Sequence, residues 1–341
     1  MSLPPVPNGA LLHSTGGVLP EKKRVDVNKK DRRHRTPLSL TAESGKVDAI
    51  RALLESEQVD VNTKDMELRT PLIIATEEGN LGAVRALLES SQVDVNTKDI
   101  WGRNPLWIAA RKGYTEIVKA LLGRKDINPN FQFRDRDMTL QGTPLGIACY
   151  HGNISAVQEL IADERVDINA RDPAGLTPVH LSAANSRRDI LRLLLTRPSI
   201  DALTPCRSGN TPLHTAAEIG DLDIFMQLLC FPGITNPDIP AADSWTPLGL
   251  AIRHARVGII RALVKDGRVD INGISGAGHT PLLLAAKLSL FKVVKELLQV
   301  EGVDVYKQEA EGEMSFAEFV EKGNSQRMKK LLREKAESGR H

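Results

Sequence analysis

The residues best able to do chemistry in this 341-residue chain are few. Cys149, Tyr150 and His151 stand side by side, placing a thiol next to an imidazole, the pairing that activates a cysteine nucleophile. His180, His214 and His254 are further acid–base candidates, each needing a partner within hydrogen-bond reach. The run Gly273-Ile274-Ser275-Gly276-Ala277-Gly278 has the glycine density of a dinucleotide loop. No segment reads G-x-x-x-x-G-K, G-x-S-x-G or H-E-x-x-H. The three cysteines, Cys149, Cys206 and Cys230, form no C-x-x-C and no zinc spacing. That argues for a reducing compartment and against a disulfide framework or a structural metal.

The elements that would position these groups come from a repeat. Thr-Pro-Leu occurs at Thr36, Thr70, Thr211, Thr246 and Thr280, with variants starting at Asn104, Thr143, Thr177 and Met314. The spacing is 34 residues, stretched to 39 between Asn104 and Thr143 and to 35 between Thr211 and Thr246. Thr caps a helix whose first residue is Pro, where no amide donor is needed. Six residues on, small side chains such as Ala110, Ala217 and Ala286 let helices approach closely. Nine residues on, a glycine closes the first helix in six units: Gly45, Gly79, Gly113, Gly152, Gly220 and Gly323. A second helix follows with apolar pairs such as Leu53-Leu54 and Leu121-Leu122, and then Val59-Asp60-Val61-Asn62 and its kin lead into an extended finger.

With these residues in view, the chain resembles the ankyrin-repeat family, whose motif T-P-L-H-x-A is met most closely at Thr211-Pro212-Leu213-His214-Thr215-Ala216. The resemblance implies an all-α ankyrin-repeat solenoid of about nine units, each a helix-turn-helix plus a β-turn finger, over residues 25–333. The 34-residue unit and its Val-Asp-Val-Asn segment resemble many fungal arrays. Residues 1–24 are expected to be disordered or loosely capping, and 334–341 a disordered tail. Arg327, Lys329 and Lys330 make the last unit a polar cap. Ser186, Ala255 and Ser289 replace the closing glycine, so those turns are expected to be strained. The segment from Pro129 to Gly142 is expected to protrude from the finger edge.

The repeat register also weighs the chemistry. His180 and His214 fall at the family's own histidine position, where the resemblance implies a bond to the backbone of adjacent fingers. Ser39, Ile73, Trp107, Gly146, Gly249, Leu283 and Ala317 stand there in the other units. His151 and His254 share a register three units apart, too far to act together. Cys149 adjoins Ala148 in a register that reads as a buried small residue. Asp60, Asp94, Asp167, Asp270 and Asp304, with Asn62, Asn96, Asn169 and Asn272, recur at fixed positions and read as structural; the glycine run lies in a finger. No enzyme and no cofactor is expected.

Composition agrees: 41% hydrophobic residues exclude wholesale disorder, and 4% aromatics require a core of Leu, Ile, Val and Ala. No apolar run approaches the ~18 residues of a membrane span, and the proline-interrupted start is unlike a secretory signal. The expected location is intracellular, nucleus or cytoplasm, with the balance toward the nucleus.

Function must then lie on the surface. The family resemblance implies other proteins as partners, bound in a concave groove lined by finger tips and by first-helix positions seven and eight. The partner-binding patch expected there is Arg69, Trp101, Arg103, Trp107, Arg111, Lys112, Tyr150 and His151, because Trp, Tyr and Arg dominate binding hot spots. Arg35, Arg69 and Arg103 would stack into a ladder. A basic run, Lys22, Lys23, Arg24, Lys29, Lys30, Arg32, Arg33 and Arg35, reads either as a nuclear-import signal or as exposed finger residues. Sequence-specific nucleic-acid binding is not expected, nor membrane association, and the chain is expected to be monomeric. The reading reached is a regulatory adaptor, with transcription coregulation as its nuclear form. The alternative is an enzyme or small-molecule binder with a pocket near Trp107, Arg111, Tyr150 and His151.

Overall fold

A computed structural model describes residues 26–134, 141–276, 278–307 and 314–338. The described residues form helix pairs, one pair per unit. The first three pairs are α1 (Pro37–Glu43) with α2 (Val47–Leu54), α3 (Pro71–Glu77) with α4 (Leu81–Leu88), and α5 (Pro105–Lys112) with α6 (Thr115–Leu122). Next come α7 (Pro144–His151) with α8 (Ile154–Ala162), α9 (Pro178–Ala184) with α10 (Arg188–Leu195), and α11 (Pro212–Ile219) with α12 (Leu222–Leu229). The last three are α13 (Pro247–Arg253) with α14 (Val257–Asp266), α15 (Pro281–Lys287) with α16 (Phe291–Leu298), and α17 (Phe316–Lys322) with α18 (Gln326–Ser338). Odd-numbered helices stack on odd and even on even, giving two layers. Between units the chain runs out into fingers whose only ladder pairing among the described residues is two single bridges, Phe133 with Gly142 and Ser275 with His279.

The caps explain the boundaries. Side chains of Thr36, Thr70, Asn104, Thr143, Thr177, Thr246 and Thr280 accept the amide three residues on, with proline next to each. Gly113, Gly152 and Gly220 close their helices in the left-handed region. Ser186, Ala255 and Ser289 take the same conformation at φ 53°, 54° and 55° without being glycine. The expected strain is therefore present, at roughly 1–2 kcal/mol each. Gly323 differs: it is extended, at φ −78°. In several units the residue that opens the second helix ties back to the unit before. Asn80 Nδ2 donates to the carbonyls of Ala42 and Glu43, Asn153 Nδ2 to those of Ala110 and Arg111, and Arg187 Nε to that of Tyr150. Orphan carbonyls at the ends of first-layer helices are satisfied by the next unit.

The position six residues into each unit is buried. Ala42, Ala183 and Ala217 are fully buried there, and so is Cys149. Along the fingers runs an asparagine ladder. Asn62 Nδ2 donates to the Gln92 carbonyl at 2.8 Å while its Oδ1 accepts from the Asp94 amide at 2.9 Å. Asn28, Asn96, Asn130, Asn169 and Asn272 do the same. Leu203 and Asp238 occupy the two intervening places. Leu203 has no polar side-chain atom, and Asp238 makes one bond along the ladder, accepting from the Asp270 amide at 3.3 Å.

Two expectations are corrected. The tail expected to be disordered over 334–341 is helical to Ser338, as the second helix of the last pair. In the 129–142 segment, Phe131 and Phe133 are buried rather than protruding, because Phe133 packs on Trp107 with ring centroids 4.4 Å apart. Residues 135–140, and 1–24 at the other end, lie outside the described residues.

Candidate protein-binding groove

The fingers and the first-layer helices share one face, and the groove candidates fall on it unevenly. Trp101, at the third finger tip, is 52% exposed, with the Arg103 guanidinium stacked 4.4 Å from its ring centroid. Trp107 is 1% exposed and belongs to the core. Its register is a buried column throughout: Ser39, Ile73, His180, His214, Leu283 and Ala317 are all buried too. Trp107, His180 and His214 each reach the finger of the following unit. Trp107 is therefore withdrawn from the binding patch, because a side chain that fills the space between helix and finger cannot also meet a partner.

The arginine ladder exists, but it is neutralised. Asp31, Asp65 and Asp99 each accept from the Nε of the arginine four residues on, Arg35, Arg69 and Arg103. Glu43 takes a second contact from Arg35, and Glu77 is held by both Arg69 and Arg103. Asp65 and Asp99 also accept backbone amides within their own turns, so the arginines act as finger latches. Spacing alone showed the arginines; the aspartates four residues earlier were the signal for their neutralisation. Lys112 is exposed and donates from Nζ to the Glu77 carbonyl at 2.7 Å.

Arg111, Tyr150 and His151 are half-buried. Arg111 is in no ion pair among the described residues and lies 5.9 Å from the Trp107 ring centroid. Burial, aided by the charges of Arg111 and Arg187, lowers the pKa of His151 from the usual histidine value. Its ring packs edge-on to Tyr150. Cys149 is fully buried, and burial pushes its thiol up to about 12, so no thiolate is presented to His151. The expected pocket at Trp107, Arg111, Tyr150 and His151 is not the cavity that forms. A cavity of about 330 Å³ lies one step further along, between α7, α9 and the finger at residues 172–176, and Tyr150 alone of the four lines it.

Of the basic run, Lys22, Lys23 and Arg24 lie outside the described residues. Lys29, Lys30, Arg32 and Arg33 are exposed, whereas Arg35 is taken by Asp31 and Glu43. His180 and His214 play their structural role. Nδ1 of each accepts from its own capping threonine's amide, and Nε2 donates to the carbonyls of Asn210 and Trp245. Burial lowers both, His180 to about 4. Among the described residues no helix is long and apolar enough to cross a membrane.

A family model described as "Ankyrin repeats (3 copies)" matches residues 11–99, 61–133, 91–172, 145–237 and 213–309. The chain belongs to the ankyrin-repeat family. Among curated relatives, the putative ankyrin repeat protein YahD of Escherichia coli (strain K12) is 30% identical over 47% of this chain and 80% of its own length. The nuclear factor NF-kappa-B p105 subunit of Gallus gallus is 27% identical over 52% of this chain, spanning only 18% of that relative. The human ASB11 ankyrin repeat domain superposes with TM-score 0.55 at 23% identity, covering 67% of this chain and 97% of its own. That likeness carries the ankyrin fold. Ankyrin repeats are protein–protein interaction units.

Proposed function

We propose that the protein is a non-catalytic scaffold that holds a partner protein along the groove. The observation that carries this reading is the exposed Trp101 on its Arg103 support, followed along the same face by Lys112, Arg111 and Tyr150. An aromatic anchor with cationic neighbours on a rigid, pre-formed face is what binding hot spots are made of. The role is regulatory adaptation with the chain as a monomer, without direct sequence-specific nucleic-acid binding. Its nuclear form, transcription coregulation through partners, draws support from the exposed Lys29, Lys30, Arg32 and Arg33, and from the likeness to a relative named as a nuclear factor.

The test is affinity capture from native extract with the wild-type chain and a Trp101→Ala, Lys112→Glu variant of unchanged circular dichroism. A discrete protein retained by the wild type and lost by the variant supports the groove reading. Equal capture by both moves binding elsewhere on the stack. Nuclear accumulation of a tagged chain, lost when Lys29, Lys30, Arg32 and Arg33 become alanine, supports the nuclear form; unchanged distribution sinks it.

A further inference from the structure

The core column occupied by Trp107 is left unfilled in the fourth unit. In the third unit Trp107 reaches Phe133 of the next finger. In the fifth and sixth units His180 and His214 reach the next finger's carbonyls. In the seventh, Gly249 leaves room, but Ser275 turns in: its Oγ occupies the space a Cβ would take and accepts from the Thr246 amide. In the fourth unit Gly146 leaves room that Leu181 of α9 only edges, its Cδ1 3.2 Å from where a Cβ would stand, and no side chain of the next finger enters it. The result is the cavity of about 330 Å³, with Gly146 at its floor, walls of Ile147, Tyr150, Leu176 and Leu181, and Asp172 and Arg207 at its rim.

The volume suits one large side chain, and the walls are apolar. Arg207 sits at the rim itself, its amide bonded to the Ala174 carbonyl and its charge met by the Asp172 carboxylate. Arg111 stands in the same register as Tyr150 one unit earlier, is in no ion pair among the described residues, and its buried Nε has no hydrogen-bond partner there. Neighbouring units are spaced about 8–10 Å apart. A small ligand filling the cavity would not reach Arg111, whereas an extended chain rising ~3.3 Å per residue covers that distance in about three residues.

We propose that the cavity over Gly146 is the anchor pocket of the groove, taking one bulky apolar side chain from an extended partner segment that carries an acidic residue about three positions away, on the Arg111 side. The proposal rests on the groove reading above and deepens it.

The test uses the full chain against synthetic 11-residue peptides on a neutral background, with Ala, Leu, Phe or Trp at the centre and Asp or Lys three positions before and after it. The expected result is tighter binding of bulky over Ala centres by roughly tenfold or more, and of Asp over Lys flanks. Gly146→His, which installs the residue the fifth and sixth units already carry, removes the preference for a bulky centre while keeping the thermal midpoint. Gly146→Ala serves as the milder filling and reduces that preference less. Arg111→Glu reverses the flank preference and leaves the centre preference intact. A wild-type chain indifferent to the size of the central residue overturns the proposal, as does a folded Gly146→His that binds unchanged. Retention of a captured partner by Gly146→His but not by the Trp101→Ala, Lys112→Glu variant overturns the pocket and leaves the groove reading standing. Capture of nothing by the wild type overturns the groove reading itself.

Discussion

Arg103 Nη2 lies 2.6 Å from Glu77 Oε1, across the boundary between the second and third units. The carboxylate is 13% exposed and its other oxygen is held by Arg69, so a single acid bridges two finger latches. Glu77→Ala should lower stability by about 1–3 kcal/mol, because two half-buried guanidiniums lose their shared acceptor. Urea unfolding measures it, and a midpoint equal to wild type would show that the bridge contributes nothing.

The two candidate tryptophans should separate cleanly. Trp107→Ala empties the space against Phe133 and should cost about 3–5 kcal/mol. Trp101→Ala loses only a surface stack on Arg103, at under about 1 kcal/mol. Chemical denaturation of both variants checks this, and comparable losses would mean that Trp101 is also structural.

Acid should weaken the stack through His180 and His214. Both imidazoles are lowered in the folded chain, His180 to about 4, so the unfolded chain takes up a proton first as pH falls below the ordinary value of ~6.5. The stability they contribute is full above that value and is lost progressively as pH falls toward about 4. Unfolding midpoints measured from pH 7.5 to 4.5 should therefore decline, and His180→Gln should flatten the decline. An unaltered slope in that variant rules out this source.

Asp238 should do the reverse. It stands in the asparagine ladder with its carboxyl group buried near Thr246, and burial pushes its pKa up to about 6. With a folded value above the unfolded one, its favourable contribution belongs to low pH and disappears as pH rises through about 6. Asp238→Asn supplies a donor that needs no proton, and should stabilise by about 1 kcal/mol at pH 7.5. At pH 4.5 the gain should vanish; a gain of equal size at both values would contradict the assignment.

Relieving the three strained turns gives the simplest prediction. Ala255→Gly should raise the unfolding free energy by about 1 kcal/mol, the cost of a Cβ at φ 54° less the entropy glycine adds to the unfolded chain. A lower thermal midpoint would show that Ala255 packs better than its backbone suffers.

The unit boundaries were legible because capping is local: Thr, Pro and Gly at fixed spacing state where each first helix starts and stops. The same register placed Cys149 in the core and His180 and His214 between fingers. Trp107 misled because its type signals a hot spot while its register signals burial, and register prevailed. Charge misled in the same way, since Arg69 and Arg103 were counted without Asp65 and Asp99. The cavity had a visible cause in Gly146, yet Gly249 carries the same residue and is filled. The difference lies in Ser275, 26 residues away in sequence, and only packing reveals it.

The interrupted asparagine ladder makes the molecule mechanically uneven. Five consecutive rungs, from Asn28 to Asn169, clamp the first six units with two bonds apiece, whereas the next two places offer none and one. In a stack where each unit is held only by its neighbours, the weakest joint decides where it parts. Under load or denaturant, the chain should come apart near Leu203 and Asp238. That would leave a stiff amino-terminal rod that carries both Trp101 and the Gly146 cavity, while the carboxy-terminal units melt away from it.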